Sequence, residues 1–285
     1  MEKLYIGTCS WKYNSWEGLV YNNPLRKNYL QEYSQYYNTV EIDQWFWSLQ
    51  SIDKISLPKE KDAAQYAESV PDNFRFTIKV PNSLTLTHLY RKNKSEPLQK
   101  NPHFLSPDLF EEFIKKINSM KTKIGVLMFQ FEYLNKEKMS SLFEFIERFG
   151  AFLRTINTNY QIGIELRNPN YLDKNYFKFI SENNLSPVLL HGYYMPAVWE
   201  TSKIIAANTK APIVIRLHGP DRKGIEAKTN SIWNEIVEPK DEELKKISRM
   251  ILLLQSFHVD LYVNVNNHYE GSAPKTIYKL KSMLQ

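Results

Sequence analysis

The sequence predicts an α/β fold of the TIM type, a (β/α)8 barrel whose parallel sheet closes on itself, formed by residues 1–285 as a single domain with loop insertions. Three observations predict it. Eight short β-branched or aliphatic runs recur along the chain, stripes of apolar residues at helical spacing lie between them, and each return takes about 35 residues, the spacing of βα units rather than of hairpins. Most of the runs are apolar almost without interruption. Strands of a parallel sheet, covered on both faces, read that way.

The eight runs are Leu4 to Thr8, Thr39 to Ile42, Phe74 to Val80, Ile124 to Phe129, Gln161 to Leu166, Pro187 to Leu190, Ile213 to Leu217 and Leu261 to Val265. Helices follow several of them. Leu109, Phe110, Phe113, Ile114 and Ile117 form one stripe, Leu142, Phe145, Ile146 and Phe149 a second, and Leu244, Ile247, Ile251 and Leu254 a third. Tyr176, Phe177 and Ile180 mark a helix after the fifth strand, and Ile277, Leu280 and Leu284 mark the last. The sixth unit, from Met195 to Ala207, has no helical period. The stretch from Pro81 to Ser106 exceeds a usual connection, so it reads as a loop over the barrel mouth. No glycine-rich dinucleotide fingerprint follows the first strand, where Gly7-Thr8-Cys9-Ser10-Trp11 stands, and no phosphate-cradling Gly-x-x-x-x-Gly-Lys occurs.

Composition narrows the function classes. Hydrophobic residues at 42% and charged residues at 24% fit a chain that buries a sizeable core. The longest apolar runs, Ile124 to Phe129 and Met250 to Leu254, are too short for a membrane span. The N-terminus enters a strand without a secretory leader, and Cys9 alone excludes an intrachain disulfide, so a cytoplasmic protein without a membrane partner is expected. A net charge of +6 leaves room for an anionic partner, whether phosphate, nucleotide or nucleic acid. The lysines are scattered, however, and form no basic stripe.

The informative feature is where the strands stop being apolar. Glu41-Ile42-Asp43, Glu165-Leu166-Arg167, Arg216-Leu217-His218 and Asn264-Val265-Asn266 are polar pairs at i and i+2, which share one face of a strand. Unpaired charges beneath the helices would cost several kcal/mol each, so the pairs belong in the lumen near its open end. Lys79, Gln130 and His191 are expected to complete the ring. Active sites of this architecture lie at that end. Carboxylates accept protons, imidazoles shuttle them near neutrality, and arginine forks grip carboxylate or phosphate. The same residues would also serve as purely structural ion pairs.

His88, in the loop after the third strand, is placed to close over the pocket or to cap the surface. Glu41, Asp43, Glu165, His191, His218 and His268 could supply ligands to a divalent metal, yet no local ligand spacing occurs, so no metal site or other cofactor is assigned. Cys9 reads as a small buried side chain rather than a nucleophile. Ser272 opens the last helix, either as its cap or as part of an anion site at that corner of the barrel. Among the many loop aromatics, Trp11 and Trp45 are the expected pocket walls.

Taken together, Ile6-Gly7-Thr8-Cys9-Ser10-Trp11, Asn38-Thr39-Val40-Glu41-Ile42-Asp43, Phe74 to Pro81, Thr87-His88, Phe129-Gln130-Phe131, Ile164 to Pro169, Ile215 to Gly219 and Val265-Asn266-Asn267 resemble the YecE-like family, catalogued as domain of unknown function 72. The resemblance runs in order over nearly the whole chain. It implies a TIM-type barrel, sometimes described as related to sugar isomerases, with no established substrate, and it marks Glu41, Lys79, His88, Glu165, Arg167, Arg216, His218 and Asn266. The chain departs from that pattern at Cys9, where Gly or Ser is commoner, at Asp43 in place of Asn, and at Asn168 and Tyr171 in place of His and Trp.

The leading functional expectation is an enzyme, isomerase-like or hydrolase-like (a sugar isomerase or a phosphoester hydrolase), acting on a small polar sugar- or phosphate-containing molecule. Glu41 or Glu165 would be its base, His88 or His218 its acid, and Arg167 with Arg216 would hold an anionic group. The alternatives are a non-catalytic binder of nucleic acid or nucleotide and a small-molecule sensor with the same pocket. The sequence leaves the oligomeric state open.

Overall fold

The computed structural model describes residues 3–22, 28–91, 93, 95–205 and 209–285. Eight parallel strands form the barrel: β1 (Leu4–Cys9), β2 (Thr39–Ile42), β3 (Arg75–Lys79), β4 (Ile124–Gln130), β5 (Ile162–Glu165), β6 (Ser186–Gly192), β7 (Ile213–Gly219) and β8 (Leu261–Val265). Each pairs with the next in sequence, and β8 closes on β1 through Leu4 opposite Leu261 to Thr8 opposite Val265. Eight helices return the chain: α1 (Tyr29–Tyr33), α2 (Glu60–Glu68), α3 (Pro107–Lys116), α4 (Leu142–Thr155), α5 (Lys174–Glu182), α6 (Val198–Thr201), α7 (Asp241–Gln255) and α8 (Ala273–Met283). Their starts obey cap chemistry. The side chains of Ser106, Ser141 and Asp173 accept the free N–H groups of α3, α4 and α5.

Strand alternation creates two cores. Residues such as Ile42, Ile78, Phe129, Ile164, Ile215 and Val263 point outward and pack beneath the helices with at most a trace of exposure. Their inward neighbours Tyr5, Val126, Met128, Val188, Val214 and Tyr262 fill the floor of the lumen, where the Tyr5 and Tyr262 rings stack 4.6 Å apart. Polar residues one or two layers further along these strands therefore sit above an apolar plug. That plug makes the site one-ended.

Several elements had no expectation in the sequence. A two-stranded hairpin, Leu49–Ser51 with Lys54–Ile55, follows β2, and a helix over Arg222–Thr229 precedes α7. Short α1 has no apolar repeat to read, yet it positions Tyr33, whose hydroxyl receives the Thr8 N–H at 2.8 Å and donates to the Thr39 carbonyl at 3.0 Å. The irregular sixth unit contains only four-residue α6 and a 3-10 turn at Ser202–Ile204; Ala207 lies outside the described residues. The long loop after β3 starts with a buried turn of helix, Asn82–Thr85, and Asn101 ties it down by donating to the Ser83 and Leu86 carbonyls at 2.8 and 2.7 Å. No helix among the described residues is long and apolar enough to cross a membrane.

Candidate active site

The floor of the polar layer is built on Arg216, from β7. Its side chain is fully buried in the lumen, because Arg216 shares the inward parity of Val214. The guanidinium grips Glu41 of β2 bidentately, with Nε to Oε2 and Nη2 to Oε1 both at 2.7 Å. Its Nη1 donates to Glu165 of β5 and, at 3.3 Å, to the Gln130 amide oxygen of β4. Such a fork satisfies both charge and geometry at once. Burial pushes the Glu41 carboxyl up, but Arg216 and Lys79 outweigh it and leave the group below its ordinary range. Burial also opposes ionisation of Glu165, and Arg216 with Arg167 overcomes that, holding it at about 2. Both carboxylates are therefore ionised and fully committed. Asn264 of β8 lies beside them and donates to Thr77 Oγ1 at 2.9 Å.

Above this sealed layer the groups meet solvent. Lys79 Nζ stands 3.5 Å from Glu41, and Arg167 donates to Glu165 at 2.9 Å and to Gln130 at 3.1 Å. Lys79, Gln130 and His218 keep 6–8% of their surface exposed, and the Arg167 side chain keeps 23%. Three cations, Arg216, Lys79 and Arg167, face the two buried carboxylates, and Asp43 is the third carboxyl of the group, so a positive charge is left over whenever Asp43 carries its proton. Burial, then Arg216, Lys79 and Arg167, hold the His218 imidazole well below its usual value, so it is neutral. Burial raises the Asp43 carboxyl, and Glu41 adds to this against the pull of Lys79. The site thus offers a neutral imidazole and a carboxyl biased towards its acid form beside two partly exposed cations.

Two glycines shape this rim. Gly192 has φ of 146°, and a Cβ there would come within 2.4 Å of the Gly219 carbonyl. Their close approach lets the Tyr193 N–H reach that carbonyl at 3.0 Å, and it sets Tyr193 at φ of 52°. The Tyr193 ring then lies 5.2 Å from the Arg167 guanidinium and 6.0 Å from the His218 ring.

The model of the family described as protein of unknown function DUF72 matches residues 5–285. This chain belongs to the DUF72 family. The curated UPF0759 protein YecE of Escherichia coli is 22% identical over 172 residues, 60% of this chain and 51% of that protein, so the match spans about half the length of that relative. A DUF72 protein of Enterococcus faecalis shares the fold with a TM-score of 0.69 at 17% identity, over 99% of this chain and 95% of that one. A DUF72 protein of Thermotoga maritima does so at 0.67 and 20%, over 99% of each.

In this DUF72 barrel, not every residue expected at the site lies there. His191 shares the parity of outward-facing Leu189, and its Nε2 pairs with Glu243 of α7 at 2.9 Å while its ring packs 5.0 Å from Trp199. The expected lumen position is therefore corrected to the layer under the helices. Trp11, 1% exposed, meets Tyr66 edge-on at 5.0 Å, and Trp45, 9% exposed, stacks on the same ring. These tryptophans are loop core, with little or no face free for a ligand. Asn264 is in the lumen but sealed below the carboxylates. Asn266 caps the following turn, receiving the His268 N–H at 3.0 Å. Ser272 is fully buried at the start of α8, where Asn267 already takes the Ala273 N–H at 2.9 Å, so no anion reaches that corner. His88 bonds to Thr87 at 3.0 Å, and burial, then Lys138, holds its imidazole below the ordinary value, with Glu132, Lys100 and Arg148 the other charges that bear on it.

One donor set deserves a fit test. Cys9, Glu41 and His218 bring ligand atoms within 4.8 Å of one another. Both Glu41 oxygens are already held by Arg216, burial pushes the Cys9 thiol up, and the surrounding charge is positive. The set does not fit a resident divalent cation. Cys9, read from the sequence as a small buried side chain, is buried but stands 3.7 Å from His218, and Tyr193 was not among the expected site residues. The Cys9 contact crosses the barrel, and the Tyr193 placement follows from a backbone turn.

Proposed function

We propose that the protein is an enzyme that moves protons on a small, anionic sugar- or phosphate-containing substrate. The observation that carries this reading is the pair of partly exposed cations, Lys79 and Arg167, beside the neutral His218 imidazole and the Asp43 carboxyl, whose protonation leaves their charge in surplus. Lys79 and Arg167 would hold the carboxylate or phosphate of the substrate. His218 would act as base, and Asp43, protonated when an anion enters, as acid. Glu41 and Glu165, expected to be bases, instead fix Arg216 and set the field. Because Arg216 occupies both, the site lacks the two free carboxyls of glycoside hydrolysis. The buried Cys9 thiol suits a cytoplasmic, reducing setting.

Incubation with uronic acids and aldose phosphates in D2O tests the proposal. Proton NMR should show exchange at the carbon next to the carbonyl, slowed by about 10²–10⁴-fold in His218→Gln. No exchange with any of them, or equal exchange in the variant, contradicts it.

A further inference from the structure

Four exposed aromatic side chains stand on the loops at the open end of the barrel. Trp47 follows β2, Tyr90 follows β3, Tyr133 follows β4 and Tyr194 follows β6, and each leaves more than half of its surface in water, from 51% to 67%. They come in pairs. The Trp47 and Tyr90 rings are 6.2 Å apart at 41°, and the Tyr133 and Tyr194 rings 6.1 Å apart at 87°. Tyr193, next in sequence to Tyr194, packs on the Arg167 guanidinium at 5.2 Å, and the Arg167 charge acts on Tyr90 and Tyr194 alike. The rim is thus continuous with the site. Large rings left in water around a polar pocket mark a surface that something covers.

We propose that this rim binds the sugar rings of an oligosaccharide whose acidic end sits on Lys79 and Arg167, so that the substrate is an acidic glycan rather than a free monosaccharide. This rests on the anionic pocket proposed above. Aromatic faces pack against the C–H faces of sugars, and tyrosine hydroxyls bond to their hydroxyl groups. Paired rings crossing at 41° and 87° offer separate facets to successive puckered rings, not the parallel platform that suits stacked bases. The charges add to this. Besides Arg167, the group that acts on both Tyr90 and Tyr194 is the carboxylate of Glu132, held by Lys138 at 2.7 Å.

Calorimetry with glucuronate, galacturonate, trigalacturonate, a hyaluronan tetrasaccharide, uncharged cellotetraose and oligo(dT) tests the proposal on the full chain. An acidic oligosaccharide should bind about tenfold or more tightly than its monosaccharide. The paired variants Trp47→Ala/Tyr90→Ala and Tyr133→Ala/Tyr194→Ala should remove that gain and leave the monosaccharide unchanged, whereas Arg167→Met should weaken both. Equal affinity for acidic oligomer and monomer overturns the rim proposal, and the pocket reading survives if Arg167→Met still weakens the monomer. Binding of cellotetraose alone overturns the acidic end and the pocket reading with it. Preferred binding of oligo(dT), or no glycan binding that depends on the rim, also overturns the proposal.

Discussion

Arg216 decides the character of the interior. Removing it as Arg216→Met would strand two buried carboxylates, with an expected cost of about 3–5 kcal/mol in urea unfolding. The triple change with Glu41→Gln and Glu165→Gln should recover most of that loss, because it removes the stranded charges too. Arg167→Met, at the partly exposed edge, should cost no more than about 1 kcal/mol and weaken anion binding. A similar loss of stability in both single variants would argue against a sealed layer beneath an accessible one. The lumen location of Glu41, Glu165 and Arg216 was legible, since each sits between apolar residues and the strand period is two. Depth was not legible. Asn264 has the same parity as an accessible residue and lies one layer too low, while His191 ends an all-apolar run whose alternation says nothing about facing.

Among elements, the long apolar strands and helices announced themselves, whereas α1, α6 and the hairpin after β2 are too short to show a period. The turn joining β6 to the rim is the one that matters for the site. Gly192→Ala would force a Cβ against the Gly219 carbonyl at a positive φ, and a loss of about 1–3 kcal/mol is expected by thermal unfolding. The same variant should weaken anion binding as well, by displacing Tyr193 from Arg167. Unchanged stability and binding would show that the turn does not position the rim. Aromatic roles were not legible either: Trp11 and Trp45 stand two and three residues past their strands and are drawn onto Tyr66, whereas Tyr194 and Tyr133 stand at the same distances past theirs and are exposed, so distance along the loop does not separate core from rim.

For the whole molecule, the buried charges tie stability to pH. His218 is neutral when folded and titrates at its ordinary value of about 6.5 when unfolded, so its contribution is complete above that value and fades as pH falls below it. Glu165, depressed to about 2 in the fold, contributes above its unfolded value near 4.3, and this is lost as pH drops towards 2. Thermal melts should therefore weaken in two stages on acidification. His218→Gln should erase the upper stage and leave the lower one; a single stage in the wild type would contradict the assignment. Elsewhere the surface charge is spread over local pairs such as Lys115 with Glu111 and Lys178 with Glu182, consistent with the scattered lysines of the sequence.

The open end of the barrel, with Lys79, Arg167 and a titratable Asp43, makes a linked demand. An anion settling on Lys79 and Arg167 should draw a proton onto the Asp43 carboxyl, whose ionised form it would repel. Calorimetry of galacturonate binding in two buffers of different ionisation enthalpy measures that proton directly. The account predicts binding with net proton uptake on the acid side of neutrality, uptake that vanishes in Asp43→Asn and binding that vanishes in Lys79→Met/Arg167→Met. Binding undiminished in the doubly substituted protein would contradict it.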